Sequence, residues 1–270
     1  MIALPDRLSG KKQMPHPEMI AHRGASLDAP ENTLAAVELA WQQQADAVEI
    51  DIRLTRDGQI VVIHDSDTAR TSNHRLSVAE STYAELKEVD VGCWKGPAYQ
   101  GESIPRLEDI LATLRGQARL FIEIKCGAEI CVPLLDLLTA VPKLEAQLVL
   151  IGFDAPLLAQ LKTSLPAAQA LLCARRPQQA SGHWSGSVIE QLIDEAKRLQ
   201  FDGVDLDAAG PIDRPAVDRL HAAKLGCYFW TVDDLAQAVQ LSQCGVDGLT
   251  TNRPGWLRSQ LADTLDTFST

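Results

Sequence analysis

Apolar and polar residues alternate strictly through AVEIDIRLT, residues 47–55. Val48, Ile50, Ile52 and Leu54 fall on one side, Glu49, Asp51 and Arg53 on the other. A period of two predicts a strand with one apolar and one charged face. A second β-rich run, Gln59 to His64, follows after only Arg56-Asp57-Gly58. Asp-Gly between two such runs predicts a hairpin with a two-residue turn, both turn positions at positive φ. That register sets Asp51 opposite His64, on the face that carries Glu49. Two carboxylates and an imidazole are expected to converge there.

Upstream, Glu18 to Ala21 reads as a short first strand ending in His22-Arg23-Gly24, after a loose N-terminal arm. A first helix is expected over Glu31 to Gln44, with Leu34, Val37, Ala40 and Trp41 on one stripe. Residues 65–103 form a long excursion with a short helix at Val78 to Val89, and a helix follows from Ile104-Pro105 to about Leu114. A segment of that length inside a compact domain reads as a functional loop or small inserted subdomain. Beyond it, strand-like runs at 119–125, 147–151, 169–173, 203–206, 227–232 and 246–250 interleave with helical stretches at 129–140, 155–164, 187–199, 214–223, 233–243 and 254–265. Strand–helix alternation predicts parallel strands joined by right-handed crossovers. Nine strand-like runs are present, and a tight hairpin cannot join parallel neighbours, so one of its arms is an extra. Eight strands remain, the number of a (β/α)8 TIM barrel; a doubly wound open sheet is the alternative.

At 270 residues, with 46% hydrophobic content, the chain is read as a single domain, 1–270. A net charge of −11 argues against nucleic acid and against stable association with an anionic membrane. The six cysteines form no CxxC pair, no secretion signal opens the chain and no segment reaches membrane-spanning length. A soluble cytoplasmic protein is expected.

In a barrel, chemistry gathers at the carboxyl ends of the strands. His22 and Arg23 end the first strand, and Glu123 and Lys125 share a face near the end of another. Glu49, Asp51 and Glu123 in one small site would repel one another unless a divalent cation lay between them, and oxygen ligands select magnesium or calcium. His22 and His64 can supply an acid and a base. Arg23 and Lys125 supply positive charge for a phosphate. Metal, acid–base pair and phosphate clamp together indicate phosphoester hydrolysis. An enolising barrel enzyme and a non-catalytic binding module are the competing readings. The former usually carries a lysine base; the intact histidine pair speaks against the latter.

The ordered motifs HRGAS, APENTLAAV, DAVEIDIRLTRDGQIVVIHDSDTARTS, IPRLEDIL and FIEIK resemble the glycerophosphodiester phosphodiesterase family, closely over about residues 19–125. The likeness returns at Phe229-Trp230-Thr231-Val232 and in DGLTTNRP, residues 247–254. The resemblance implies a (β/α)8 barrel that hydrolyses glycerophosphodiesters to glycerol 3-phosphate and an alcohol. It implies His22 and His64 as the acid–base pair, and Glu49, Asp51 and Glu123 around one Mg2+ or Ca2+. It further implies phosphate contacts from Arg23 and Lys125, Trp230 in the substrate pocket, and 65–103 as a capping insertion. Two departures stand out: His74 where relatives tend to have glycine, and Asn252 where aspartate is frequent. Both are expected to leave the catalytic set untouched and to bear on substrate preference.

Among the remaining candidates, His16 and His221 are expected on the surface, and His183-Trp184 and Trp94 either pack or touch ligand. Asp205 and Asp207 are expected to support the site or meet solvent. Glu31 and Asn32 are expected to start helix one, with Glu31 able to hold Arg23.

Overall fold

The computed structural model of the chain describes residues 16–176, 183–184 and 186–268, so the expected N-terminal arm lies almost wholly outside the described residues. Nine strands follow one another: β1 (Glu18–His22), β2 (Ala47–Leu54), β3 (Ile60–Val62), β4 (Arg119–Ile124), β5 (Leu148–Gly152), β6 (Gln169–Ala174), β7 (Gly203–Asp207), β8 (Gly226–Trp230) and β9 (Gly248–Thr251). All but β3 are parallel, in the order β1-β2-β4-β5-β6-β7-β8-β9, and β1 pairs with β9 through Glu18↔Gly248 to Ala21↔Thr251. The sheet is therefore closed. It is an eight-stranded barrel, and the open-sheet alternative falls.

Helices cover its outside: α1 (Leu34–Gln42), α2 (Tyr83–Lys87), α3 (Leu107–Leu111), α4 (Cys131–Thr139), α5 (Ala155–Ser164), α6 (Gly186–Arg198), α7 (Arg214–Ala222), α8 (Leu235–Cys244) and α9 (Pro254–Phe268). Several begin on the residue that physics favours. Thr33, Asp154, Asp213 and Asp234 each accept a backbone N–H of the first turn, satisfying a donor that no carbonyl can reach. Helix one thus starts three residues later than expected, because Thr33 caps it. Glu31 and Asn32 are left outside.

Inside the barrel, Ile20, Ala47, Phe121, Val149, Ile151, Leu171, Cys173 and Tyr228 form a closed apolar layer. Tyr228 fills room that glycines leave: a Cβ on Gly248 would meet its ring at 2.4 Å. Its edge-to-face contact with Phe121, 5.6 Å between centroids, completes the layer. This plug packs the barrel interior beneath its carboxyl end.

The hairpin departs from expectation. Ile52, Arg53 and Leu54 pair with Val62, Val61 and Ile60, one residue out of the expected register. The turn is three residues long, closed by Thr55 N–H to Gln59 O at 2.9 Å and Gly58 N–H to Thr55 O at 3.0 Å. Only Gly58 within it has positive φ, at 78°. The cause is Thr55, whose hydroxyl donates to Asp57 Oδ1 at 2.6 Å and accepts Gln59 N–H at 2.9 Å, which selects the longer turn. Asp51 O therefore accepts Ile63 N–H at 2.9 Å, and His64 lies beyond the end of β3.

The segment after His64 has a small core of its own, in which Val61, Ile63, Val78, Leu86, Val89, Val91 and Ile104 pack together. It leans on the loop after β1 through Lys95 Nζ to Ser26 O at 2.6 Å and Tyr99 Oη to Asp28 O at 2.8 Å. The indole of Trp94 donates to Val91 O at 2.8 Å.

Candidate active site

Of the eight residues expected to form the site, His22, Arg23, Glu49, His64, Glu123, Lys125 and Trp230 line one cavity of about 230 Å3 at the carboxyl end of the barrel. The eighth, Asp51, is fully buried beneath it. Strand register explains the grouping, since Glu49 pairs with His22, and Asp51 with Glu123. The expected convergence of His64 survives, although its stated cause does not. Arg53 sets it instead, donating Nε to His64 O at 2.9 Å and Nη1 to Lys125 O at 2.8 Å.

Carboxylate oxygens of Glu49, Asp51 and Glu123 lie within 4.8 Å of one another. Burial raises the pKa of Glu49 well above the ordinary carboxylate value, and repulsion from Asp51 and Glu123 raises it further. Burial likewise raises Glu123, with Asp51 adding to the effect. Burial would raise Asp51 too, but Arg23 and Lys125 outweigh it and hold this group ionised. Glu49 Oε1 and Asp51 Oδ1 are buried without a hydrogen-bond partner among the described residues. Lys125 Nζ stands 3.2 Å from the latter as an ion pair. Orphaned, mutually repelling oxygens at this spacing fit a hard divalent cation.

The two cations are tied down by the same carboxylates. Lys125 Nζ meets Glu123 Oε1 at 2.5 Å, and Arg23 meets Asp51 Oδ2 at 3.0 Å through Nε and Glu31 Oε1 at 2.8 Å through Nη1. Arg23 and Gly24 both take left-handed backbone, φ 56° and 79°, a turn that aims Arg23 N–H at Glu49 Oε2, 2.9 Å away. Glu31 thus does hold Arg23. It also accepts Arg70 at 2.7 and 2.8 Å, and Arg70 in turn meets Asp65 Oδ2 at 2.5 Å.

Each imidazole is anchored through Nδ1, His22 to Asn252 Oδ1 and His64 to Asp65 Oδ1, both at 2.7 Å. Depth in the cavity lowers the pKa of His22 to about 4, helped by the charge of Arg23, although 17% of its side chain still meets solvent. Burial lowers His64 as well.

Two expectations need correction here. Asn252 does touch the proposed catalytic set, because it bonds His22 directly. Asn32 does not start a helix: it is buried at φ 58°, donates Nδ2 to Asp51 Oδ2 at 2.8 Å and accepts Asp51 N–H at 3.1 Å. A capping threonine straight after Glu31-Asn32 was the available sign that both precede the helix. Elsewhere, His16, His221 and His74 are exposed. His183 is exposed too, while Trp184 packs in the core with its indole N–H on Asp207 O at 3.1 Å; the rest of that loop, 177–182 and 185, lies outside the described residues. Trp94 does not line the cavity. Asp205 does; Phe153, Cys173 and Arg175, which carried no sequence pattern of their own, line it too, with Thr250.

Residues 22–256 match the model of the glycerophosphoryl diester phosphodiesterase family. A glycerophosphodiester phosphodiesterase of Caldanaerobacter subterraneus is 30% identical over 252 residues, 87% of this chain and 94% of that one. The Bacillus subtilis protein YhdW is 51% identical over 107 residues, so the match spans only 40% of this chain and 44% of that relative. Among solved structures, an Oleispira antarctica phosphodiesterase in complex with the product sn-glycerol-3-phosphate superposes with a TM-score of 0.76 at 27% identity, covering 91% of this chain and 97% of that one. Barrel, site geometry and kinship agree: the chain belongs to the glycerophosphoryl diester phosphodiesterase family, a family of phosphoric diester hydrolases.

Proposed function

We propose that the chain, acting as one domain over 1–270 with 65–103 beside the site as its cap, hydrolyses glycerophosphodiesters to glycerol 3-phosphate and an alcohol. One observation carries the reading. Two imidazoles, both anchored through Nδ1 and so offering Nε2, share a single cavity with Glu49, Glu123, Arg23 and Lys125, above the buried Asp51. Kinship with a phosphodiesterase that holds sn-glycerol-3-phosphate supports the same choice of substrate.

Glu49, Asp51 and Glu123 would hold one Mg2+ or Ca2+, which when bound would neutralise charge on the phosphate oxygens. Arg23 and Lys125 flank the phosphate. Trp230, edge-on to Phe153 at 5.9 Å, lines the substrate pocket. His22 is backed by a neutral amide and kept unprotonated, so it takes the proton of the attacking hydroxyl at Nε2. Burial lowers the pKa of His64, but Asp51 and the Asp65 carboxylate at its Nδ1 oppose the shift, where His22 has only a neutral amide at that atom. His64 is therefore the better placed of the two to bring a proton and give it from Nε2 to the departing alkoxide. The attacking hydroxyl belongs to water or to the substrate's own glycerol; in the latter case a cyclic phosphate forms and water opens it. Six unpaired cysteines agree with a cytoplasmic setting.

The enolising alternative needs a lysine that gives up its proton. Burial would lower Lys125, but Asp51 and Glu123 outweigh it and raise its pKa, so it stays charged. The test is a panel of glycerophosphodiesters assayed after chelation and after re-addition of magnesium, calcium or manganese. Turnover is expected to vanish and return with the cation. Full turnover after exhaustive chelation would overturn the metal assignment, and no turnover of any diester under any condition would overturn the activity.

A further inference from the structure

A fourth acid faces the carboxylate cluster from across the barrel. In the closed strand order β7 stands opposite β2, and Asp205 on β7, paired with Cys173 and Tyr228, lines the same cavity. Only 2% of the residue is exposed. Its Oδ1 is buried with no hydrogen-bond partner among the described residues. The nearby indole N–H of Trp230 bonds Asp205 at its backbone carbonyl, 3.2 Å away, and leaves the carboxyl free. Asp205 is also outside the group of oxygens that could share one cation. A buried polar group left unpaired costs roughly 1–3 kcal/mol, so a position like this reads as one half of a contact whose other half arrives with a ligand. Burial, with Glu123 adding, pushes its pKa well above the ordinary carboxylate value; a neutral carboxyl can both give and accept a hydrogen bond.

We propose that Asp205 is a specificity-determining residue that binds the terminal hydroxyl of the substrate's glycerol. This rests on the phosphodiesterase reading above and deepens it. With the phosphate held on the β1, β2 and β4 side, the hydroxyl next to the phosphorylated carbon stays close to the phosphorus. The terminal hydroxyl is the part of glycerol long enough to reach the opposite wall. The invariant half of the substrate thus meets a deep, built contact. The variable alcohol is left to the rim, where Phe153 is 40% exposed and Arg175 stacks on it at 4.8 Å.

The test compares kcat/KM for glycerophosphocholine and for 2-hydroxypropyl phosphocholine. The latter lacks only the terminal hydroxyl and keeps the one that could act as nucleophile. The wild-type protein is expected to prefer the glycerol diester by about 10- to 100-fold, the worth of a hydrogen bond to a buried polar group. Asp205→Leu should lose that preference, with the loss on glycerophosphocholine exceeding the loss on the hydroxypropyl diester by the same factor. Asp205→Asn, nearly isosteric, should retain part of it and carries the comparison if the leucine variant does not fold. Equal losses on both substrates, or a preference retained in both variants, would overturn the proposal while leaving the phosphodiesterase reading intact. A wild type that cleaves neither diester would overturn both.

Discussion

Asn252 Oδ1 accepts a hydrogen bond from His22 Nδ1 at 2.7 Å, and the surroundings of the amide forbid the opposite arrangement. Its Nδ2 donates to Asp233 Oδ2 at 2.5 Å, while Ser26 Oγ donates to Oδ1 at 2.8 Å. A carboxylate can only accept, so the NH2 faces Asp233 and the oxygen faces the imidazole. Nδ1 of His22 then carries the proton, and Nε2 enters the cavity with its lone pair free. Asp233 is itself fixed by Thr251 Oγ1 and Asn252 N–H, both at 2.8 Å.

Asn252→Ala should therefore lower kcat about 10- to 100-fold, the usual worth of a partner that orients a working histidine, with a smaller effect on KM. Imidazole 15N NMR is the matching readout. His22 should show a single Nδ1–H tautomer in the wild type and a mixture in the variant. An unchanged kcat would rule out the orienting role.

In the proposed mechanism the unequal partners of the two histidines give them opposite tasks. Alanine at either His22 or His64 should cost about 10²–10⁴-fold in turnover of a glycerophosphodiester. A diester with a nitrophenol leaving group needs no proton on departure. It should restore activity to His64→Ala and leave His22→Ala crippled; rescue of both, of neither, or of His22→Ala alone would refute the assignment.

Metal-free protein should carry a pH-dependent weakness at Glu49. Its folded pKa is raised by burial and by Asp51 and Glu123, so the folded state keeps a proton that the unfolded state releases. Stability from this group is full below the unfolded carboxylate range and is lost as pH rises through the folded value. Glu49→Gln should then raise the Tm of metal-free protein at pH 8 and change it little near pH 4. Added magnesium or calcium should stabilise the wild type, by about 2.7 kcal/mol at a concentration 100 times Kd, and fail to stabilise the variant. Calorimetry at both pH values, with and without cation, checks the pair of effects.

Two glycines in left-handed backbone should respond differently to alanine. At Gly58, φ 78°, a Cβ would meet nothing within 4 Å, so Gly58→Ala should cost about 1–2 kcal/mol from backbone strain alone and leave kcat unchanged. At Gly24, φ 79°, a Cβ would lie 2.5 Å from the Ala36 carbonyl carbon, in the wall of α1. Gly24→Ala should cost about 1–3 kcal/mol more and reduce activity too, since it displaces the turn carrying His22 and Arg23. Urea unfolding and steady-state assays on the two variants separate the cases.

Period-two and period-3.6 patterns predicted the barrel strands and most outer helices within a few residues, because each pattern reports a face that must be buried. The charged positions of the site were legible for a related reason. Glu49, Asp51 and Glu123 each stand between apolar neighbours in their strands. Asn252 was not, since its partner His22 is 230 positions away and meets it only because β9 closes the barrel against β1. No spacing rule encodes that meeting. Asp205 was ambiguous because a carboxyl near a strand end is equally common in solvent. The hairpin register was missed through one hydroxyl: Thr55 chose the turn, and the Asp-Gly signal does not report on the residue two places before it.

The hold of Arg53 on the carbonyls of His64 and Lys125 has an evolutionary consequence. At the far end of the excursion, Val62 N–H bonds Pro105 O at 2.9 Å and Val61 bridges Arg106, so both feet of the segment are clamped to the β2–β3 hairpin. Doubling the length of a closed loop costs only about 0.6 kcal/mol. Beyond Asp65 and Arg70, which serve His64 and Glu31, residues can be gained, lost or exchanged between the clamps while His64 keeps its distance from His22. Beyond Arg70 the segment is a replaceable module: descendants of this chain can trade it for another without re-evolving the chemistry beneath.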